Sequence, residues 1–230
     1  MKNILIYVDP TKKFTAQEHE ELVKIQIDNS LSLDWKPKDI FLVTSFEYEH
    51  NGVKSMVIDD YETFDHNRST KILAINQLFR DGIIKDNEVY WFHDHDAFQL
   101  APMEVTLEKD AGFTDHGAWS KTWNAGSFFF KKSAEDIFLW ISEYMDKMST
   151  NEQGALTYMW ENNINGINDR YELMSPAYNI GIYKIDENLK LAGEPPKVAH
   201  FHPHKRRHLD LFRNMLPERL LTIFSIYGIR

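Results

Sequence analysis

The sequence predicts an α/β fold in which a mixed, mostly parallel central sheet is flanked by helices. Short apolar runs typical of buried strands alternate with segments in which apolar residues recur every three or four positions. Acidic residues stand directly after two of these runs, where parallel sheets commonly bind ligands. The chain has 230 residues, of which 43% are hydrophobic and 27% charged, so we expect one domain with one substantial core.

The first half of the chain alternates strands with helices, which is typical of βαβ units. The predicted strands are Asn3–Asp9, Asp39–Phe46, Ser55–Asp59 and Glu88–Phe92. The predicted helices are Glu20–Leu33 and Asn67–Phe79, and the second is amphipathic. In this arrangement, Asp9 and the pair Asp94 and Asp96 follow the carboxyl ends of strands, so we expect a ligand site there.

The second half of the chain is less regular. Its predicted strands are Trp123–Lys131 and Val198–His202. Its predicted helices are Ala134–Met148, Glu152–Asn162 with Asn151 as the cap, and a segment from Leu209 onward that Pro217 divides in two.

The composition excludes several classes of function. A net charge of -9 makes the chain a poor general binder of nucleic acid, which requires a basic face. With no cysteine, disulfides, thiolate metal sites and cysteine nucleophiles are all excluded, and any metal must use Asp, Glu, His or backbone oxygen. No apolar run is long enough to cross a bilayer, and the short N-terminal run is better explained as a strand than as a signal sequence. We expect a cytoplasmic protein.

The sequence His93-Asp94-His95-Asp96 follows a buried strand directly. In an extended segment, the two aspartates would point to the same side, where like charges are costly unless a cation neutralises them. Carboxylate oxygens suit Mg²⁺ or Mn²⁺, whose coordination is commonly completed by substrate phosphates. The alternative is an exposed acidic turn with no ligand.

A second cluster of polar residues runs from His200 to His208. His200 follows a short apolar run and is the best candidate for a nitrogen ligand of the same metal. Lys205 and Arg206 would neutralise a diphosphate beside that metal. The alternative is a solvated basic loop before the last helices.

Two short motifs complete the set of candidate site residues. Asn124-Ala125-Gly126 opens a strand, and its amide and small residues allow a ligand to approach closely. Glu152-Gln153-Gly154 opens a helix, where polar side chains would face a sugar. Taken alone, the first motif is more often a turn and the second an ordinary first helical turn.

Taken in order, these features resemble GT-A glycosyltransferases, and glycosyltransferase family 8 in particular, which includes glycogenin and bacterial galactosyltransferases. The matching segments span almost the whole chain: YVDP, KILAINQLF, VYWFHDHDAF, WNAGSFFFKKS, NEQGALTYMW and VAHFHPHK. The resemblance implies a Rossmann-like GT-A domain over residues 1–230, with a nucleotide-binding half (1–96) and a sugar- and acceptor-binding half (97–230). It also implies a nucleotide-sugar donor, a UDP-sugar first, a glycan or other hydroxyl acceptor, and Mn²⁺ or Mg²⁺.

The resemblance further implies roles for individual residues. The implied metal ligands are Asp94, Asp96 and His200. The implied donor-binding residues are Asp9, Arg68, Lys71, Asp94, Asn124, Ala125 and Lys205. Glu152 and Gln153 would face the sugar hydroxyls and the anomeric carbon. The family has an aspartate where this chain has Gly154, and its diphosphate lysine lies about one position further from the histidine.

The stereochemical course of the transfer stays open at this stage. An inverting reaction needs a base for the acceptor hydroxyl, and Glu152 or Asp115 is the candidate. In a retaining reaction, Gln153 is a weak nucleophile, which favours attack on the same face, assisted by the leaving phosphate.

Two other functions also remain open. The His and Asp residues around positions 93–96 and 200–204 would suffice for a metal-dependent hydrolase with two metal ions, although the Asn-Ala-Gly motif would then have no role. Alternatively, the departure at Gly154 is compatible with a non-catalytic module that binds a nucleotide or glycan.

Overall fold

The computed structural model describes residues 1–8, 17–58, 70–117 and 122–230 and has the α/β architecture that the sequence predicts. Its strands are β1 (Lys2–Tyr7), β2 (Ile40–Thr44), β3 (Glu49–His50), β4 (Val53–Val57), β5 (Tyr90–His93), β6 (Ala97–Gln99), β7 (Ala111–Asp115), β8 (Trp123–Phe130), β9 (Tyr171–Leu173), β10 (Ile180–Gly181) and β11 (Val198–His200). Its helices are α1 (Gln17–Leu31), α2 (Thr70–Arg80), α3 (Glu135–Met148), α4 (Glu152–Glu161), α5 (Ile185–Ala192), α6 (Arg206–Phe212) and α7 (Glu218–Ile226). No helix in these ranges is long and apolar enough to span a membrane.

Within the described ranges, eight strands form the main sheet in the order β3-β4-β2-β1-β5-β8-β7-β9. Strands β4, β2, β1 and β5 pair in parallel with one another, and β9 is parallel to β7. Strand β8 lies antiparallel between β5 and β7, and β3 is antiparallel at the far edge. Because β8 runs against β5, its first residues lie beside the carboxyl end of β5.

A small second sheet of β10, β11 and β6 lies beyond the end of β5. In it, β11 pairs antiparallel with β6, with His200 opposite Ala97. The Phe201 N–H also donates to the Asp96 carbonyl at 2.8 Å. This pairing carries the C-terminal histidine to the turn that holds the acidic pair.

The main sheet is covered on both faces, as its strand pattern requires. On β1, Ile4 belongs to a core cluster with residues of α2 and α3, whereas Leu5 belongs to a cluster with residues of α1. Side chains alternate between the two faces of a strand, so neighbouring apolar residues serve opposite layers. A third cluster joins α6 and α7 to α1 and the small sheet, including Phe98 and Phe224.

Most predicted elements are confirmed to within a few residues, and the deviations lie mainly at their ends. Strand β5 extends through His93, and β11 ends at His200. Residues 94–96 form a turn. They do not form the predicted extended segment, in which the two aspartates would point to the same side. That turn is closed by a hydrogen bond of 3.0 Å from the Ala97 N–H to the Asp94 carbonyl. Helix α2 is described from Thr70, so positions 67–69 of that prediction lie outside the described residues.

Candidate functional site

A cavity of about 490 Å³ opens at the carboxyl ends of β1 and β5. Its walls come from the β5–β6 turn, the first residues of α2 and α4, the start of β8 and the end of β11. Seven of the residues that line it were predicted from the sequence as site residues: Lys71, Asp94, Asp96, Asn124, Glu152, Gln153 and His200. Elements far apart in the chain therefore converge on one site, as expected for parallel strands.

The acidic pair and one histidine form a candidate cation site on one wall. Asp94, Asp96 and His200 each offer a ligand atom, and these atoms lie within 4.8 Å of one another. The turn is anchored to β8, because the Asp94 N–H donates to the Gly126 carbonyl at 2.8 Å. This is the one such group of three found among the described residues.

His200 is held from both sides of its ring. Its Nδ1 lies 3.1 Å from Asn179 Oδ1, and its Nε2 lies 3.3 Å from Asp96 Oδ1. Gly126 leaves room for the ring, because a Cβ at that position would lie 2.0 Å from His200 Cε1. The small residue of the Asn-Ala-Gly motif is thus explained by the histidine that packs on it.

His200 and Asp96 each stabilise the charged form of the other. Burial would lower the pKa of His200, but the charge and hydrogen bond of Asp96 outweigh burial and raise that pKa above its usual value. Burial would raise the pKa of Asp96, but His200 holds it well below its usual range. In the metal-free protein the two therefore form a partly buried ion pair.

Lys71 neutralises the other aspartate. Its Nζ lies 2.9 Å from Asp94 Oδ1, 3.2 Å from Glu152 Oε1 and 3.0 Å from the Ala125 carbonyl. Burial would lower the pKa of Lys71, but Asp94 and Glu152 outweigh burial and raise it, so the amine stays charged. Each aspartate thus has its own cationic partner when no metal is bound.

Helix α4 presents the polar side chains of Glu152 and Gln153 to the cavity. Asn151 caps this helix as predicted, since its side chain accepts from the Gly154 N–H at 2.9 Å. Glu152 is 4% exposed, and its Oε2 has no hydrogen-bond partner among the residues that the structure describes. A buried carboxylate oxygen without a partner costs free energy, so a ligand that donates a hydrogen bond there would be favoured.

Other predicted site residues lie outside this cavity's lining. Ala125 contributes only its carbonyl, to Lys71. The Asp115 carboxylate accepts from the Gly117 N–H at 2.8 Å, and Lys205 is exposed at the start of α6. Asp9 and Arg68 lie outside the described residues.

Two residues at the site escaped the sequence reasoning. His116 lines the cavity and shares a hydrogen bond with Gln153. Asn179 is 3% exposed and contacts His200. Neither stands in a recognisable motif. The only sequence signal for His116 is its position next to Asp115, in a segment that we did not predict to be a strand.

The candidate cation site fits the ion that the resemblance implies. Two carboxylates and an imidazole are a donor set that suits Mn²⁺, and Mg²⁺ less well because of the nitrogen. The hydrogen bond from His200 Nδ1 to Asn179 leaves Nε2 as the ligand atom once its proton is lost. His202, His204 and His208 are not part of the group.

Comparisons with solved structures support the fold assignment. A glycosyltransferase involved in glycosylation of the major capsid of PBCV-1 aligns with a TM-score of 0.59 and 14% identity, over 94% of this chain and 100% of that one. The galactosyltransferase LgtC, solved with donor and acceptor sugar analogs, aligns with a TM-score of 0.58 and 14% identity, over 97% and 100%. The glycosyltransferase GlyE of Streptococcus pneumoniae TIGR4 aligns with a TM-score of 0.56 and 12% identity, over 100% and 65%.

No protein-family model and no curated protein matches the chain. The mixed α/β sheet and these structural neighbours together show a GT-A fold. At such low identities the likeness establishes the fold alone, and function has to be argued from the site.

Proposed function

We propose that this protein is a metal-dependent glycosyltransferase that moves a sugar from a nucleotide-diphosphate sugar to an acceptor hydroxyl. The observation that carries the proposal is the convergence of Asp94, Asp96 and His200 with Lys71 and Glu152 in one cavity of a GT-A fold. The LgtC structure, with donor and acceptor analogs bound, supports the same kind of substrate pair for this chain.

The difficult step is departure of the nucleoside diphosphate with its negative charge. The C1–O bond of the donor breaks and its electron pair leaves with the diphosphate, while the acceptor oxygen forms the new bond to C1. A divalent cation at Asp94, Asp96 and His200 would supply charge stabilisation to that diphosphate. Lys71 holds Asp94 in place and would keep its orientation fixed during the reaction.

The hydroxyl proton must also leave the acceptor. Glu152 is already paired with Lys71 through Oε1, and Asp115 lies outside the cavity lining. A route that needs neither carboxylate is attack on the face that the diphosphate leaves, with the proton passing to the departing phosphate oxygen. This favours the retaining course, in which Glu152 Oε2 accepts a hydrogen bond from a donor-sugar hydroxyl and Gln153 faces the anomeric carbon.

The hydrolase alternative receives less support from the site. A hydrolase with two metal ions needs a second ligand group, and the described residues offer one group of three. We infer a UDP-sugar as the first donor to test, on the resemblance alone. Lys205 and Arg206 are exposed at the start of α6 and do not line the cavity, and we retain them as candidates to contact the diphosphate.

A turnover assay tests the proposed function. UDP-, GDP- and ADP-sugars are incubated with a panel of glycosides, with and without Mn²⁺, and both the released nucleoside diphosphate and the glycosylated product are measured. We expect one nucleotide class to be turned over only with metal, and Asp94→Asn to abolish turnover. The matched control, Asp146→Asn, changes an exposed aspartate on α3 and is expected to keep full activity. Metal-independent turnover, or equal activity of the two variants, would contradict the proposal.

A further inference from the structure

A second cavity of about 430 Å³ adjoins the candidate active site. The two cavities share His116, Asn151 and Gln153 in their walls. The rest of the second cavity is built mainly from α4, including Gly154, Thr157 and Tyr158. Its volume lies within the range of about 300–1,000 Å³ that is typical of small-molecule sites.

We propose that this second cavity is the acceptor site and that it takes an uncharged, polyhydroxylated acceptor, with His116 binding one of its hydroxyls. The inference rests on the proposed function, because it assigns the other substrate of the same transfer. A hydroxyl held at His116 would orient a neighbouring hydroxyl toward the sugar carbon in the first cavity.

The charges of the cavity wall favour a neutral ligand. Hydroxyl and amide side chains line it at Thr122, Asn151, Gln153 and Thr157, and these groups both donate and accept hydrogen bonds. Glu161 supplies one carboxylate, and none of the described residues lining the cavity is Lys or Arg. Among the described residues, an anionic acceptor would therefore meet a like charge with no compensating Lys or Arg.

Tyr158 provides an aromatic surface at this cavity. Its side chain is 37% exposed, and its ring packs on Tyr144 with a centroid distance of 5.5 Å. A ring that is fixed on one side and open on the other can stack on the apolar face of a sugar. The pyranose rings of a glycan match this surface better than a flexible chain would.

His116 is placed to contact both substrates. A hydrogen bond between its ring and Gln153 ties it to the wall that the two cavities share. A neutral imidazole has one donor and one acceptor nitrogen, so a ring that donates to Gln153 can accept from a ligand hydroxyl. Burial and the charge of His200 lower the pKa of His116 more than Asp115 raises it, which favours the neutral ring.

Gly154 lines the second cavity at a position where the protein has no room for a side chain. A Cβ at this position would lie 2.2 Å from Thr150 Oγ1, so Thr150 excludes a side chain there. The residue that departs from the family pattern thus lines the proposed acceptor site and adds no side chain to it.

The test compares matched glycosides and matched variants of the full chain. The acceptors are p-nitrophenyl β-glucoside and its anionic counterpart, p-nitrophenyl β-glucuronide, along with neutral p-nitrophenyl galactoside and lactoside. We expect transfer to at least one neutral glycoside and at least about tenfold weaker transfer to the glucuronide. Glu161→Lys replaces the carboxylate of the cavity wall with a cation, so it is expected to reduce the difference in transfer between the neutral glycoside and the glucuronide.

Two variants test whether residues of the cavity wall bind the acceptor. His116→Ala and Tyr158→Ala are expected to raise the KM for the neutral glycoside about tenfold. Their matched control is Tyr183→Ala, since Tyr183 is 70% exposed and lines neither cavity. Thermal stabilisation by UDP with Mn²⁺ should persist in Tyr158→Ala and in Tyr183→Ala, because neither residue lines the first cavity. Tyr183→Ala should also keep the slow hydrolysis of the donor, which does not require the acceptor.

The readouts distinguish failure of this inference from failure of the proposed function. If UDP with Mn²⁺ stabilises the protein and the donor is hydrolysed, but His116→Ala and Tyr158→Ala leave the acceptor KM unchanged, the acceptor site lies elsewhere. Preference for the glucuronide would also overturn the inference. If no nucleotide binds and no donor is consumed, the proposed function itself fails.

Discussion

Asn179 Oδ1 lies 3.1 Å from His200 Nδ1, and this contact fixes which nitrogen of the histidine faces the acidic pair. The Asn179 amide donates to Thr114 Oγ1 at 2.9 Å and to the Asn124 carbonyl at 3.1 Å. With both of its N–H groups directed at acceptors, Asn179 must turn its oxygen toward His200. His200 therefore carries a hydrogen on Nδ1 and presents Nε2 to the cation site.

The first prediction concerns Asn179 itself. Asn179→Ala removes the acceptor that orients His200, so we expect Mn²⁺ affinity to fall about 10- to 100-fold. Isothermal titration calorimetry with Mn²⁺ and UDP measures this change. Asn179→Asp keeps an acceptor at the same position and should retain more affinity than the alanine variant. Equal affinity of Asn179→Ala and wild type would show that His200 does not depend on this contact.

The second prediction concerns the glycine beneath His200. Gly126→Ala would place a Cβ 2.0 Å from the imidazole, so the ring has to move and metal binding should be lost or strongly weakened. Gly181→Ala is the control, since Gly181 pairs with His200 in the small sheet but its added Cβ would meet the nearest atom at 3.8 Å. Mn²⁺ titration of both variants, with circular dichroism to confirm folding, checks the expectation. If the two variants bind Mn²⁺ equally well, the packing of His200 is not needed for the site.

The third prediction concerns the buried ammonium of Lys71. Lys71→Met leaves Asp94 and Glu152 without their cation, so the free energy of unfolding should fall by about 3 kcal/mol without metal. Because Mn²⁺ would replace part of the missing charge, the variant should regain more stability from Mn²⁺ than wild type does.

Chemical denaturation with and without Mn²⁺ measures both effects of Lys71→Met. Lys2→Met provides the comparison, because Lys2 pairs with Asp39 in a partly exposed bridge and neither residue lines the cavity. We expect that variant to lose about 1 kcal/mol or less, with no added response to metal. A Lys71→Met protein as stable as wild type without metal would contradict the assigned ion pairs.

The fourth prediction concerns the pH dependence of stability. Burial lowers the pKa of His93 to about 3, whereas an unfolded histidine titrates near pH 6.5. Between these values the unfolded chain binds a proton that the folded protein does not, so stability falls as the pH drops below about 6.5. From pH 7 to pH 5, His93 alone should cost about 2 kcal/mol.

Comparison with His93→Gln isolates this contribution. His93 Nε2 lies 3.0 Å from Asn3 Oδ1, and its ring stacks on Trp91 at 4.0 Å, so the variant will be less stable at every pH. The expected signature is a shallower loss of stability on acidification, measured by urea unfolding at pH 7 and pH 5. An unchanged pH slope would mean that His93 is protonated in the folded protein.

The elements that could be predicted from the sequence are those with strong local patterns. Strands β1, β2 and β5 are continuous apolar runs, and the apolar residues of α2 and α3 have clear helical spacing. These patterns are enough to distinguish strand from helix. Two strands of the small sheet were missed, because β6 has three residues and β10 two, too few to show a period. Strand β7 was missed because Ala111 and Gly112 carry little strand preference.

In the candidate site, too, only the residues that stand in a local sequence pattern could be predicted. Asp94, Asp96, Glu152 and His200 stand in motifs, so the sequence indicated them, and the structure brings them to one cavity. Asn179 was invisible, because its role depends on the β10–β11 pairing, which places it beside His200 across 21 positions of sequence. The pairing of Lys71 with Glu152 likewise depends on how α2 and α4 meet at the cavity.

Thermal unfolding in the presence of UDP, of Mn²⁺, and of both together tests the central claim most directly. A ligand at about a hundred times its dissociation constant adds roughly 2.7 kcal/mol, which shifts the melting temperature by several degrees. We predict that UDP and Mn²⁺ together stabilise wild type by more than the sum of their separate effects, and that Asp94→Asn/Asp96→Asn abolishes this excess. Strong stabilisation by Zn²⁺ alone, with no nucleotide of any base adding to the effect of Mn²⁺, would contradict the account and favour a hydrolase.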